Sequence, residues 1–202
     1  MKKTLLAFLG TTDYLPCNYA FEDKLVYKEI RFVQEAIASM LMIEKDVELD
    51  VKLFVTKDAL EKNYFDNENK DNQGNILQKE GLKRRLEQLN GKIKISKYDI
   101  PEGISEEQIW KIFQIIFQNL PEESEIYFDI THAFRSLPML AIIVLAYGKV
   151  LKKIKVKGLY YGAFEILGTV YEARKKSMDQ KNVPILDLTS FLTLFDWLDY
   201  FF

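Results

Sequence analysis

One cysteine, Cys17, in a chain of 202 residues excludes an internal disulfide framework and suits the reducing cytoplasm. One histidine, His132, leaves no metal-ligand cluster to assemble, so neither a metal nor a cofactor is expected. Net charge is scarce too. The 28 basic and 30 acidic residues leave −2, so no global basic field draws in long nucleic acid. Long hydrophobic runs are missing as well. The apolar start ends at Gly10, too short for the core of a signal peptide. The longest run, Leu137 to Tyr147, is too short to span a bilayer, so no membrane association is expected. Neither a G-x-G-x-x-G fingerprint nor a G-K-[ST] loop occurs. What is plentiful is apolar and aromatic mass: 48% hydrophobic residues, with 14 Phe and 11 Tyr, can fill the core of one medium domain.

Strand-length apolar runs alternate with helical periods. Thr4 to Leu9 reads as a first strand, and Asn18 to Phe21 with Lys24 to Tyr27 as a small hairpin. A helix follows from about Ile30 to Glu44, then the strand Val51 to Val55, then a short helix capped by Thr56 and running to about Tyr64. Residues 66–75 are polar and without period, a surface loop. Leu77 to Leu89 reads as a charged amphipathic helix and Ile93 to Ile100 as a strand near the sheet edge. Ser105 and Gln108 form a capping box, opening a helix that Pro121 stops. Next come a strand from Glu125 to Ile130, a long helix from Ser136 to Lys152 and a strand from Lys155 to Tyr161. Thr169 to Ala173 is expected to add an antiparallel strand, and Leu188 to Phe202 an aromatic helix. Five strand–helix alternations predict an α/β fold: a Rossmann-like, doubly wound, mostly parallel sheet with helices on both faces. The tail is too apolar to be a free end; its own domain, a second subunit or a following domain must cover it.

In such a sheet, ligands collect where the strands end and helix N-termini begin. Three segments follow directly after predicted strands: Gly10-Thr11-Thr12, Asp129 to Ser136, and Tyr160 to Phe164. Together they supply hydroxyls, one imidazole, one guanidinium and two phenol rings. They supply no carboxylate pair for acid–base work beyond Asp129, which fits recognition better than catalysis. Phosphates would take Arg135, the hydroxyls and helix amides, and bases would take aromatic stacking. The plainer readings stand beside these: Thr131 capping a turn, Arg135 in a structural ion pair, His132 as packing.

The strings Phe8-Leu-Gly-Thr-Thr-Asp-Tyr14, Arg31-Phe-Val-Gln-Glu-Ala36, Asp129-Ile-Thr-His-Ala-Phe-Arg-Ser-Leu-Pro138 and Tyr161-Gly-Ala-Phe164, with Pro184 to Thr189 and Trp197, carry a resemblance. The chain resembles the CRISPR-associated Rossmann-fold (CARF) sensor domains of type III CRISPR ancillary effectors. The resemblance implies a homodimer whose paired crevices hold one ring of cyclic oligoadenylate, cyclic tetra-adenylate before hexa-adenylate. It implies that Gly10, Thr11 and Thr12 approach the ring backbone. Thr131, His132, Arg135 and Ser136 would contact phosphates and ribose, and Tyr161 with Gly162 would border adenine. Residues 1–186 would then be the sensor, and 187–202 a helix starting a connection to an effector domain.

Relatives of this kind often carry a HEPN ribonuclease with an R-x4-6-H motif. This chain departs there, because no arginine stands at that distance before His132. Whether it is an enzyme is left open. The principal reading is a sensor that controls a fused or partner effector in antiviral defence. The alternative is a ring nuclease cleaving its ligand by metal-independent 2′-hydroxyl attack, with Thr131, His132 and Arg135 as the candidate groups.

Overall fold

The computed structural model describes residues 2–22, 25–70, 76–131 and 137–192. Its centre is β1 (Lys2–Leu9), buried from Lys3 onward. Side chains alternate across a strand, so Leu5, Ala7 and Leu9 enter one core while Leu6 and Phe8 enter the other. That two-sided burial is why the run is continuously apolar rather than alternating.

Flanking β1 in parallel are β4 (Glu48–Val55) and β8 (Glu125–Asp129). Beyond them lie β7 (Lys92–Asp99) on one side and β9 (Lys155–Gly162) on the other, also parallel. The order β7-β4-β1-β8-β9 reverses direction at β1, which is the topological switch point of a Rossmann-like sheet. Two helices of the first half, α1 (Val33–Leu41) and α3 (Leu82–Glu87), pack on the Leu5 face. Two of the second half, α4 (Glu106–Gln118) and α5 (Leu137–Leu151), pack on the Leu6 face. Between β4 and β7 come α2 (Lys57–Ala59), capped by the Thr56 hydroxyl, and a π-turn over Leu60–Tyr64. The doubly wound α/β fold expected from the alternation is the fold observed.

The expected hairpin is β2 (Cys17–Phe21) with β3 (Leu25–Ile30). It does not sit beside β1. The full order is β3-β2-β10-β9-β8-β1-β4-β7, with β10 (Asn182–Asp187) antiparallel to β9 and parallel to β2. Residues 10–16 therefore cross the ends of β8, β9 and β10. Four strand spacings come to about 19 Å, and the eight steps from Leu9 to Cys17 reach at most about 28 Å. The crossing has about 9 Å to spare and is held by its hydrogen bonds rather than by its length.

Three expectations are corrected. Thr169 to Ala173 is not a strand: Thr169 caps α6 (Val170–Lys175) through a reciprocal bond with Glu172, and β10 makes the antiparallel return instead. The segment read as a helix from Leu77 opens as β6 (Ile76–Lys79), and only Leu82–Glu87 is helical. The polar loop at 66–75 contains β5 (Asn67–Lys70), which pairs with β6. At α4 the Ser105 hydroxyl accepts the Gln108 N–H, while the Gln108 side chain reaches past it to the N–H groups of Gly103 and Ile104. The tail read as a helix runs beyond the described residues after Leu192. Among the described residues no helix is long and apolar enough to cross a membrane.

Close approach, not a special dihedral, requires glycine at the start of α3. A Cβ on Gly81 would lie 2.3 Å from the Phe65 carbonyl carbon and 2.4 Å from the Tyr64 oxygen. Backbone atoms cannot rotate away as side chains do. Gly81→Ala is expected to lower stability by about 2 kcal/mol, read from urea denaturation; an unchanged midpoint would contradict this packing.

Candidate functional site

At the switch point β8 ends in Asp129, which has no solvent exposure. Its Oδ1 accepts the Thr131 N–H at 3.0 Å and the Thr131 hydroxyl at 2.5 Å, an Asx-type turn. The Thr131 oxygen in turn accepts the Gly162 N–H at 2.8 Å. The end of β8 is thereby tied to the end of β9. Asp129 Oδ2 has no hydrogen-bond partner and neither does Gln34 Oε1, although both are buried. Burial raises the Asp129 carboxyl to about 6, against the opposing bonds from Thr131 and Gln34. The phenols of Tyr14 and Tyr19 feel its charge.

Opposite, the crossing segment is anchored at several points. Tyr14 is buried, packs on Phe32 with centroids 5.1 Å apart, and its phenol oxygen accepts the Gly10 N–H at 2.8 Å. Asn63, from the π-turn, donates to the carbonyls of both Gly10 and Thr12 at 2.9 Å. Arg31 donates to the Tyr14 carbonyl, to the Glu80 carbonyl and to Asn63 Oδ1. The Asp13 carboxylate bonds Lys79 at 2.7 Å and also Arg174. Burial works to raise Asp13, but the bonds and charges of these two cations outweigh it and hold it below the usual carboxylate range.

Between the anchored segment and the β8–β9 tie lies a cavity of about 340 Å³, at the small end for ligand sites. Thr12 and Asp13 line it from the crossing, Thr131 from β8, and Tyr161, Gly162, Phe164 and Glu165 from the end of β9 and the turn after it. Tyr161 donates its hydroxyl to Glu165 at 2.8 Å. Burial, then Glu165, pushes that phenol up to about 12. A Cβ on Gly162 would stand 2.6 Å from the Val33 side chain, so glycine permits the close seating of β9.

Of the residues singled out in the sequence, Thr12, Thr131, Tyr161 and Gly162 share this cavity. Gly10 does not line it and serves through its backbone bonds. Thr11 is half-buried and does not line it either. His132, Arg135 and Ser136 fall outside the described residues. Sequence reasoning missed Asn63, whose only signal was a buried asparagine near the end of a helical run. It also left Arg31, Gln34 and Glu35 unexplained. Gln34 donates to the Phe8 carbonyl at 2.9 Å, and Glu35 forms a forked pair with Arg85 at 2.8 and 3.0 Å. A larger cavity of about 760 Å³ adjoins through Tyr14 and Leu15; on its wall Lys79, Arg84 and Arg85 pair with Asp13, Asp66 and Glu35, while Arg31 is taken up by the carbonyls of Tyr14 and Glu80 and by Asn63 Oδ1. Among the described residues no group of His, Cys, Asp and Glu could hold a metal ion.

Two outcomes are expected. Asn63→Ala removes two donated bonds to carbonyls at a site 2% exposed, and should cost about 2 kcal/mol in urea unfolding. Asn63→Asp, which turns the donor into an acceptor, should cost at least as much. For Asp129 the folded-state value lies above the unfolded one, so its burial costs stability at pH 7 and protonation relieves that cost between about pH 6 and pH 4. Relative to Asp129→Asn, the wild type should gain stability as pH falls from 7 to 5; a gap independent of pH would contradict the buried charge.

The family model described as "CRISPR system endoribonuclease Csx1, CARF domain" matches residues 4–165, which takes in the five parallel strands from Thr4 onward and most of the residues lining the cavity at the switch point. CRISPR-associated protein MJ1674 of Methanocaldococcus jannaschii is 31% identical over 110 residues, 53% of this chain but 15% of that protein. With the match spanning the central strands and the walls of the site, the chain belongs to the CARF-domain family of CRISPR-associated Csx1 proteins.

Proposed function

We propose that this chain is the cytoplasmic sensing domain of a type III CRISPR effector: two copies bind one ring of cyclic oligoadenylate and control a fused or partner effector. The observation that carries the reading is the meeting of Thr12, Thr131, Tyr161 and Gly162 around one cavity at the switch point. Open α/β sheets take nucleotides at that place, and family membership supports a CRISPR messenger as that nucleotide. The cavity is too small for a ring and of a size for one of its nucleosides. A symmetric ring read by a two-fold dimer needs the same residues from each copy.

The fold also offers a route for the signal. The segment that lines the cavity through Thr12 and Asp13 runs straight into the β2–β3 hairpin. A ligand that moves residues 10–16 pulls directly on that hairpin, because only Leu15 and Pro16 separate Tyr14 from β2. Residues 187–202 would carry the connection onward.

Isothermal titration with cyclic tetra- and hexa-adenylate tests the reading. Binding at one ring per two chains is expected, the tetra-adenylate tighter. Neither heat nor a thermal shift with either ring would overturn it. Chromatography of the same mixtures separates sensing from cleavage: intact ring supports a sensor. Linear product lost in His132→Ala and Arg135→Ala would put the ring-nuclease reading first.

A further inference from the structure

We propose that the described cavity receives the donor-bearing side of a nucleoside, a ribose hydroxyl or the adenine amine, with Thr131 as an obligatory acceptor. This rests on the ring-binding reading and specifies which part of the ring enters here.

The argument is a count of protons and lone pairs. A threonine hydroxyl has one proton and two lone pairs. The Thr131 proton goes to Asp129 Oδ1 at 2.5 Å, and one lone pair takes the Gly162 N–H at 2.8 Å. One lone pair remains for the cavity. A phosphate oxygen carries only acceptors and has nothing to accept from Thr131; an O–H or N–H can donate to it.

Other hydroxyls on the wall are committed in the same sense. Tyr161 gives its proton to Glu165 at 2.8 Å, and Thr169 gives its proton to Glu172 at 2.9 Å. Among the described residues, the cavity wall includes the carboxylates of Asp13 and Glu165 and no lysine or arginine. Thr12 and Tyr19 keep hydroxyl protons to offer, and the Asp13 charge is already met by Lys79 and Arg174. A ring presenting its sugar or base edge would meet the acceptor of Thr131.

The test uses three cyclic tetra-adenylates: the native ring, a 2′-fluoro ring that lacks the hydroxyl proton yet keeps a ribose-like sugar, and a ring of purine ribonucleosides lacking the amine. Each is titrated against wild type, Thr131→Ser and Thr131→Val. One analogue should bind about tenfold more weakly than the native ring to wild type and to Thr131→Ser. The same analogue should lose that penalty on Thr131→Val, and which analogue it is identifies the donor as sugar or base. Penalties that persist unchanged on Thr131→Val would overturn the assignment of Thr131. Should Thr131→Val fail to fold, wild type and Thr131→Ser still decide, because equal affinity for all three rings overturns the proposal. Binding of the native ring without discrimination sinks this inference alone, while no binding of any ring sinks the sensor reading with it.

Discussion

Between the end of β1 and the start of β2 the chain crosses one edge of the sheet, past the carboxyl ends of β8 and β9 and the amino end of β10, about 19 Å in eight steps. Its backbone is tied down along that edge, over the switch point, by bonds from Tyr14 and Asn63. Much of the site follows from that. Tyr14 must turn inward to cap the Gly10 N–H, and the carbonyls of Gly10 and Thr12 must find donors away from water. Asn63 supplies both. Because an unsatisfied buried carbonyl is expensive, the π-turn that presents Asn63 is as much a part of the site as the residues that face the cavity.

The five parallel strands and the edge position of β7 were legible because β1, β4 and β8 contain apolar runs, β7 alternates apolar with polar residues, and helical periods lie between strands. What was not legible has identifiable causes. Thr169 to Ala173 mixes β-branched and aromatic residues, a strand composition, yet the Thr169–Glu172 cap decides for helix locally. Residues 67–79 are polar enough to read as loop and helix, but pairing of β5 with β6 depends on a partner that composition does not reveal. The placement of β2 and β3 beyond β10 is a non-local fact: a hairpin signal says that two strands pair, not which edge they join.

The string Arg31-Phe-Val-Gln-Glu-Ala36 carried part of the family resemblance without an evident chemical role. The structure gives it one that is architectural. Arg31 fixes the Tyr14 and Glu80 carbonyls, Gln34 fixes the end of β1 at Phe8, and Glu35 grips Arg85 on α3. Burial raises the Glu35 carboxyl and the Arg85 bond opposes the rise, so removing either partner would leave a costly remainder. These residues do not touch the cavity. They set the frame in which Thr12 and Thr131 face each other.

The Asp-x-Thr turn at the end of β8 has a twin. At Asp187-Leu-Thr189 the threonine hydroxyl again donates to its aspartate, and its oxygen again accepts a backbone N–H, that of Leu159 on the same strand β9. Two copies of one device therefore clamp β9, one at each neighbour. The motif taken alone is thus a clamp, and the plain reading of Thr131 as a turn cap is true. What separates the copies is their place: Thr131 stands at the switch point with a free lone pair facing a cavity. A clamp already paid for by the fold is a rigid acceptor, and a rigid acceptor loses no side-chain entropy when a ligand arrives. The same bonds that hold β8 to β9 would then pre-set the direction from which a ligand donor must approach.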